Sequence, residues 1–185
     1  NFLLKKEGEV KNLPSSIDAK GWWTDGGTGL GLESTTSKFQ NYNIFDWDHP
    51  EIIKLKSNII RNFQIYNKEC EVDTLPVELW AQGWFNIMSK GQQVNPHLHD
   101  ITSKSYLSGN FSVKVKNTST CYMSPINQIY EPEIIDIENE CGNMSLFPSS
   151  IIHYTSTHQD DDPRITIAFD LSYYQKYLNF VRIDK

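Results

Sequence analysis

A chain of 185 residues is long enough to bury a sizeable core, and one domain spanning 1–185 is expected. Its 38% hydrophobic and 22% charged content is that of an ordinary folded protein, rather than a disordered or fibrous one. The net charge is −6 with lysines and acids interspersed, so no basic face is visible to neutralise phosphates and nucleic acid is not an expected partner.

No apolar run reaches bilayer length and no signal peptide is visible, so no membrane partner is expected and a reduced, cytoplasmic setting is the default. The chain starts at Asn1, which leaves a processed start open. Cys70, Cys121 and Cys141 form no CxxC pair and cannot all pair with one another, so buried free thiols are expected. Cys141 stays open as a metal ligand should a partner approach it.

Residues 1–45 read as an N-terminal arm. The cluster Gly21-Trp22-Trp23-Thr24-Asp25-Gly26-Gly27-Thr28-Gly29 suits turns with positive φ, and the tryptophans are expected to pack over one face of the domain rather than form a binding loop. Residues 46–70 read as helical support. Asp48 and Glu51 resemble a capping box with Pro50 in the first turn. Ile52, Leu55, Ile59, Ile60 and Phe63 then make one apolar stripe, and the helix should end near Asn67.

Residues 75–175 carry short β-branched and aromatic runs. Strands are expected over 78–88, 94–100, 105–116, 133–137, 143–147, 151–157 and 164–173. Turns are signalled at Ser89-Lys90-Gly91, Asn117-Thr118-Ser119, Cys141-Gly142 and the acidic Asp160-Asp161-Asp162-Pro163. Some seven strands after a helical element imply a mainly β fold, a double-sheet jelly roll or small barrel.

The chemistry lies in that half. In an extended segment His97 and His99 share a face, and imidazoles suit first-row transition metals. His153 follows two apolar residues after Gly142–Pro148 and is the third imidazole of the pattern. Asp100 is the second choice for the third ligand, should the strand bend. Arg164 opens the last strand with Thr166 two residues on, on the same side. A guanidinium fork with a hydroxyl beside it is a carboxylate clamp; the competing role is a surface arginine paired with one of Asp160 to Asp162. His49 and His158 match no motif and read as surface residues.

Trp84-Phe85-Asn86, Gly91, His97-Leu98-His99, Ser108-Gly109, Phe147-Pro148, His153 and Arg164 together resemble the iron(II)/2-oxoglutarate-dependent oxygenases, nearest the prolyl-hydroxylase-like, phage-type subset. The likeness covers roughly residues 46–172. It implies a double-stranded β-helix, cupin-like, with iron(II), 2-oxoglutarate as co-substrate and O2, oxidising an unactivated C–H bond. The common ligand set of such proteins is two histidines and a carboxylate; here His99 fills the carboxylate's slot, giving His97, His99 and His153.

The same resemblance implies that Arg164 and Thr166 hold the distal carboxylate of 2-oxoglutarate, with Asn86 and Tyr106 as helper hydrogen-bond donors. Two aromatics commonly follow Ser-Gly in such proteins, whereas this chain reads Asn110-Phe111, so substrate contacts are not carried over. The expected substrate is a small molecule or a peptide or protein side chain. Two other readings stand beside this one. One is a three-histidine cupin-type dioxygenase that does not use 2-oxoglutarate, and the other is a non-catalytic jelly-roll binding module.

Overall fold

The computed structural model describes residues 2–72, 78–99, 106–126 and 133–184. The arm is more regular than its sequence signals. Helix α1 (Phe2–Lys11) buries Leu3 and Val10 and carries the one-turn ion pairs Lys6–Glu9 and Lys11–Glu7. Strands β1 (Ser16–Ile17) and β2 (Trp23–Thr24) form a short antiparallel hairpin. Its turn is closed by Asp18, whose Oδ1 accepts from the N–H groups of Lys20 and Trp22. Trp22 and Trp23 are each 70% exposed. The expected packing of this pair is therefore wrong: the turn leaves both indoles on the outside.

Helix α2 (Pro50–Glu69) is capped by His49, not Asp48. A residue preceding proline is driven out of helical geometry, and His49 accordingly has φ −141° and ψ 132°. Its imidazole accepts from the N–H of Glu51 and stacks on Phe2 at 3.9 Å between centroids. His49 is thus a half-buried cap rather than a free surface residue. The stripe arrives as expected, with Ile52, Leu55, Ile59 and Phe63 buried and Asn67 added to it.

The remaining strands are β3 (Trp80–Met88), β4 (Leu107–Lys114), β5 (Ser119–Met123), β6 (Ile134–Glu138), β7 (Met144–Pro148), β8 (His153–Thr155), β9 (Arg164–Ser172) and β10 (Val181–Arg182). They form antiparallel sheets in the orders β10-β3-β9-β4-β7 and β6-β5-β8. This is the mainly β, jelly-roll architecture of a double-stranded β-helix. Two expectations fail locally. The segment from Val94 makes only an isolated bridge, His97 to His153, so it is a crossing segment rather than a strand. Strand β5 is not among the expected strands: it begins at Ser119, directly after Asn117 at φ 50° completes the expected turn.

Period-two alternation sorts the large sheet into two unlike faces. Phe85, Leu107, Ile165, Ile167, Phe169 and Leu171 face α1 and α2 in the apolar core. Gln82, Asn86, Ser108, Ser112, Arg164 and Thr166 occupy the alternate positions and are also buried. Gly109 lies on the apolar side: a Cβ there would sit 2.2 Å from the Phe169 ring. A sheet face that is both buried and polar is costly unless its groups are used. That face carries the candidate site.

Candidate metal centre

Register across three strands layers the polar face. Asp170 on β9 lies opposite Gln82 and Ser108, Ala168 opposite Trp84 and Asn110, and Thr166 opposite Asn86 and Ser112. Arg164 closes the row opposite Met88. Over this floor β8 brings His153, and the crossing segment is pinned to it by paired backbone bonds, His97 N–H to His153 O at 3.1 Å and His153 N–H to His97 O at 2.9 Å. One further bond, His99 N–H to Ser149 O at 3.1 Å, keeps the segment extended, so both histidines point the same way.

The three imidazoles converge. Their candidate ligand atoms all lie within 4.8 Å of one another, with ring centroids 4.4, 5.1 and 5.6 Å apart. In each ring Nδ1 is taken: His97 by Asn95 O at 2.8 Å, His153 by Ile151 O at 3.0 Å and His99 by Asp170 Oδ1 at 2.5 Å. Carbonyls accept and never donate, so His97 and His153 carry their proton on Nδ1 and keep an Nε2 lone pair. Burial, with His99 beside it, lowers the His97 pKa to about 4. Burial and the two neighbouring imidazoles take His153 to about 3. Both are neutral at pH 7, as a metal ligand must be.

A narrow cavity runs from these rings to Arg164, lined by Asn86, Asn110, Thr120, Thr155 and Thr166 among others. Arg164 is 2% exposed. Its Nε donates to Thr118 Oγ1 at 3.3 Å and its Nη1 to Thr166 Oγ1 at 3.4 Å, while Nη2 is buried with no partner. Burial lowers its pKa to about 10, partly offset by Tyr122. The surface alternative for Arg164 fails, because Asp160, Asp161 and Asp162 are paired with Lys116, Lys90 and Lys114 instead. A buried cation with an open donor calls for an anion.

A wider cavity of about 690 Å³ is also lined by His97 and His99, together with Phe39, Trp84, Tyr177 and Phe180. That volume is within the usual range of small-molecule sites.

Comparison with known proteins bears on this arrangement. The 2OG-Fe(II) oxygenase family model matches residues 82–170, a span that holds all three histidines, Arg164 and Asp170. That span, just under half of the chain, resembles a 2OG-Fe(II) oxygenase domain. Two solved structures share its fold. A prolyl-4-hydroxylase from Pseudomonas putida aligns with TM-score 0.51 at 11% identity, over 70% of this chain and 69% of its own. An oxidoreductase of the 2OG-Fe(II) oxygenase family from Burkholderia pseudomallei aligns with TM-score 0.51 at 12% identity, over 95% and 80%. No curated protein sequence is detectably similar.

Oxygenases of that family use Fe(II), 2-oxoglutarate and O2, and the donor set here fits them: three converging imidazoles beside a cavity that reaches a buried guanidinium whose Nη2 has no partner. Asn86 lines that cavity and its Oδ1 accepts from Thr36. Tyr106 lies elsewhere. Its hydroxyl donates to Asn67 of α2 at 2.6 Å and its ring packs on Phe63 and Tyr173, so the helper role assigned to it is wrong and it braces the helix.

Asp100 lies outside the described residues. His158 is 1% exposed, not a surface residue: its Nε2 is 2.6 Å from Asp162 O and its backbone bonds Gly91 and Gln92. Cys121 is buried as expected, but Cys70 and Cys141 are exposed, and the Cys141 thiol engages the Val115 backbone rather than the histidines.

Two contributors were not foreseen. Thr28, from the glycine cluster, lines both cavities, held by Asn95 N–H donating to Thr28 O at 2.8 Å. Gly29 beside it has φ 76°, and a Cβ there would meet Asn95 at 2.1 Å. The arm is therefore part of the site's wall. Asp170 is the other, and its signal was a lone carboxylate in the apolar run 164–172, in phase with Arg164.

Proposed function

We propose that this protein is an Fe(II)- and 2-oxoglutarate-dependent hydroxylase acting on an unactivated C–H bond of a small molecule or a peptide or protein side chain. The observation that carries the reading is the pairing of three inward-facing imidazoles with a buried guanidinium that lacks an anion, at two ends of one cavity. His97, His99 and His153 would hold the metal. Arg164 and Thr166 would take the distal carboxylate of 2-oxoglutarate, with Asn86 along the cavity wall. The bound metal and keto-acid supply the oxidising power, coupling decarboxylation of 2-oxoglutarate to substrate oxidation.

The chain's own residues do the rest. Carbonyls of Asn95 and Ile151 fix the tautomers of two ligands. Trp84 and Phe147 flank His99 at 5.4 and 6.3 Å and keep water from it. Phe39, Trp84, Tyr177 and Phe180 line the wider cavity, where an apolar portion of the substrate would lie against the metal. A reducing, cytoplasmic setting is part of the same proposal and agrees with three unpaired cysteines.

The test is release of succinate from 2-oxoglutarate by the Fe(II)-loaded protein under air, with or without a substrate. Turnover is expected in wild type and its loss in His153→Ala. Iron binding without any 2-oxoglutarate turnover would favour the three-histidine, cupin-type dioxygenase, which the all-imidazole donor set also suits. An iron-free protein under anaerobic loading would leave a binding module.

A further inference from the structure

We infer that Asp170 is a positioning residue for the metal centre, fixing His99 as a ligand and supplying from behind it the negative charge that three imidazoles lack. The inference rests on the three-histidine centre proposed above. His97 and His153 are oriented by neutral carbonyls, whereas His99 Nδ1 meets a carboxylate at 2.5 Å. Among the described residues, Asp170 is the only carboxylate bonded to any of the three rings.

The bond belongs to a closed circuit. Asp170 Oδ1 accepts from Ser108 Oγ at 2.7 Å. Having spent its proton there, Ser108 Oγ accepts from Ser149 Oγ at 2.9 Å. The carbonyl of Ser149 in turn accepts from the N–H of His99 at 3.1 Å. His99 is therefore gripped at backbone and ring by one network, anchored where Ser108 on β4 lies directly opposite Asp170 on β9.

Such a circuit has two consequences. A carboxylate accepting from Nδ1–H turns Nε2 toward the other two rings as the metal-facing nitrogen, which removes the rotational freedom a lone imidazole would have to give up on binding a metal. It also places one negative charge a single imidazole away from a dication otherwise held by neutral ligands. Outer partners of this kind are worth about 10- to 100-fold in metal affinity.

The test uses the full chain. In the metal-free wild type, long-range nitrogen–proton NMR correlations should show His99 protonated on Nδ1; an Nε2–H ring at this position overturns the inference whether or not metal binds. Anaerobic titration with Fe(II), and with Co(II) as a spectroscopic probe, then compares Asp170→Asn and Asp170→Leu with wild type. Asn keeps an acceptor without the charge and should weaken binding about tenfold, while Leu removes both and should weaken it about 100-fold. The Co(II) ligand-field bands should move in both.

A purely structural role predicts a lower melting temperature with metal affinity and Co(II) bands unchanged. Affinities within about twofold of wild type in folded variants would refute the inference. Should either variant fail to fold, Ser108→Ala removes only the bond that braces Asp170, and about threefold to tenfold weaker binding is expected from it. If wild type binds no metal at all, the centre itself is wrong, and the tautomer still decides whether Asp170 sets the ring.

Discussion

Arg164→Met separates stability from ligand binding, because the two should move in opposite directions. The guanidinium is 2% exposed, and burial lowers its pKa from 12.5 to about 10. That shift corresponds to roughly 3 kcal/mol of unfavourable burial in the ligand-free protein. Against it stand two long hydrogen bonds, to Thr118 at 3.3 Å and Thr166 at 3.4 Å, worth about 1 kcal/mol each at most. A methionine of similar bulk should therefore stabilise the free protein by about 1–2 kcal/mol, a rise in melting temperature of roughly 2–8 °C.

The ligand response should invert. With Fe(II) present under nitrogen, 2-oxoglutarate at about 100 times its Kd adds roughly 2.7 kcal/mol to wild type. Loss of a charge-assisted pair costs about 2–5 kcal/mol, or about 30- to 4000-fold in affinity. The same concentration then adds less than about 1 kcal/mol to the variant. Thermal melts of both proteins, with and without 2-oxoglutarate, give all four values. A variant that melts below wild type in the absence of ligand, or one that keeps the full ligand shift, refutes the argument that Arg164 is a cation waiting for an anion.

Replacing His99 with Ala should abolish stoichiometric Fe(II) binding while Asp100→Ala leaves it near normal, measured by metal content after anaerobic loading; the reverse ranking would return the third ligand to Asp100. Acidification should destabilise the metal-free protein. His97 and His153 have folded pKa values of about 4 and about 3 against an ordinary 6.5, so the unfolded state binds more protons below that value. Their contribution is fully present above pH 6.5 and is lost as pH falls towards 4 and 3, by a few kcal/mol in urea titrations. A flat profile over that window would show that the rings are already solvated. Gly109→Ala places a methyl 2.2 Å from the Phe169 ring and should cost about 1–3 kcal/mol in urea unfolding, by overpacking alone. An unchanged midpoint would show that the two strands have room to part.

Some of this molecule was legible in its sequence because the signals are local and periodic. The stripe on α2 needs only a 3.6-residue repeat. The strands carrying Trp84, Phe147 and Arg164 need only alternation, and His97 and His99 share a face by spacing alone. What escaped depends on contacts between distant segments. Tyr106 sits at a spacing that suited a cavity role, but Asn67 on α2 offers its hydroxyl a partner. The glycine cluster read as turns, which it is, yet its place at the candidate site depends on a long-range contact, the bond from Asn95 to Thr28. His158 looked unremarkable because the groups that bury it, at Gly91, Gln92 and Asp162, belong to other turns. Asp170 was hidden by a register no single strand encodes: its meaning comes from Ser108 opposite it and His99 above.

The central claim is that one cavity joins a three-histidine iron to an arginine-held keto-acid. Titration of the anaerobic Fe(II) protein with 2-oxoglutarate, followed by visible absorption, tests it most directly. A weak charge-transfer band should grow in and saturate in wild type, from bidentate chelation of the metal by the keto-acid, and be missing at comparable concentrations in Arg164→Met. No band in wild type, with iron bound at one equivalent, would contradict the claim.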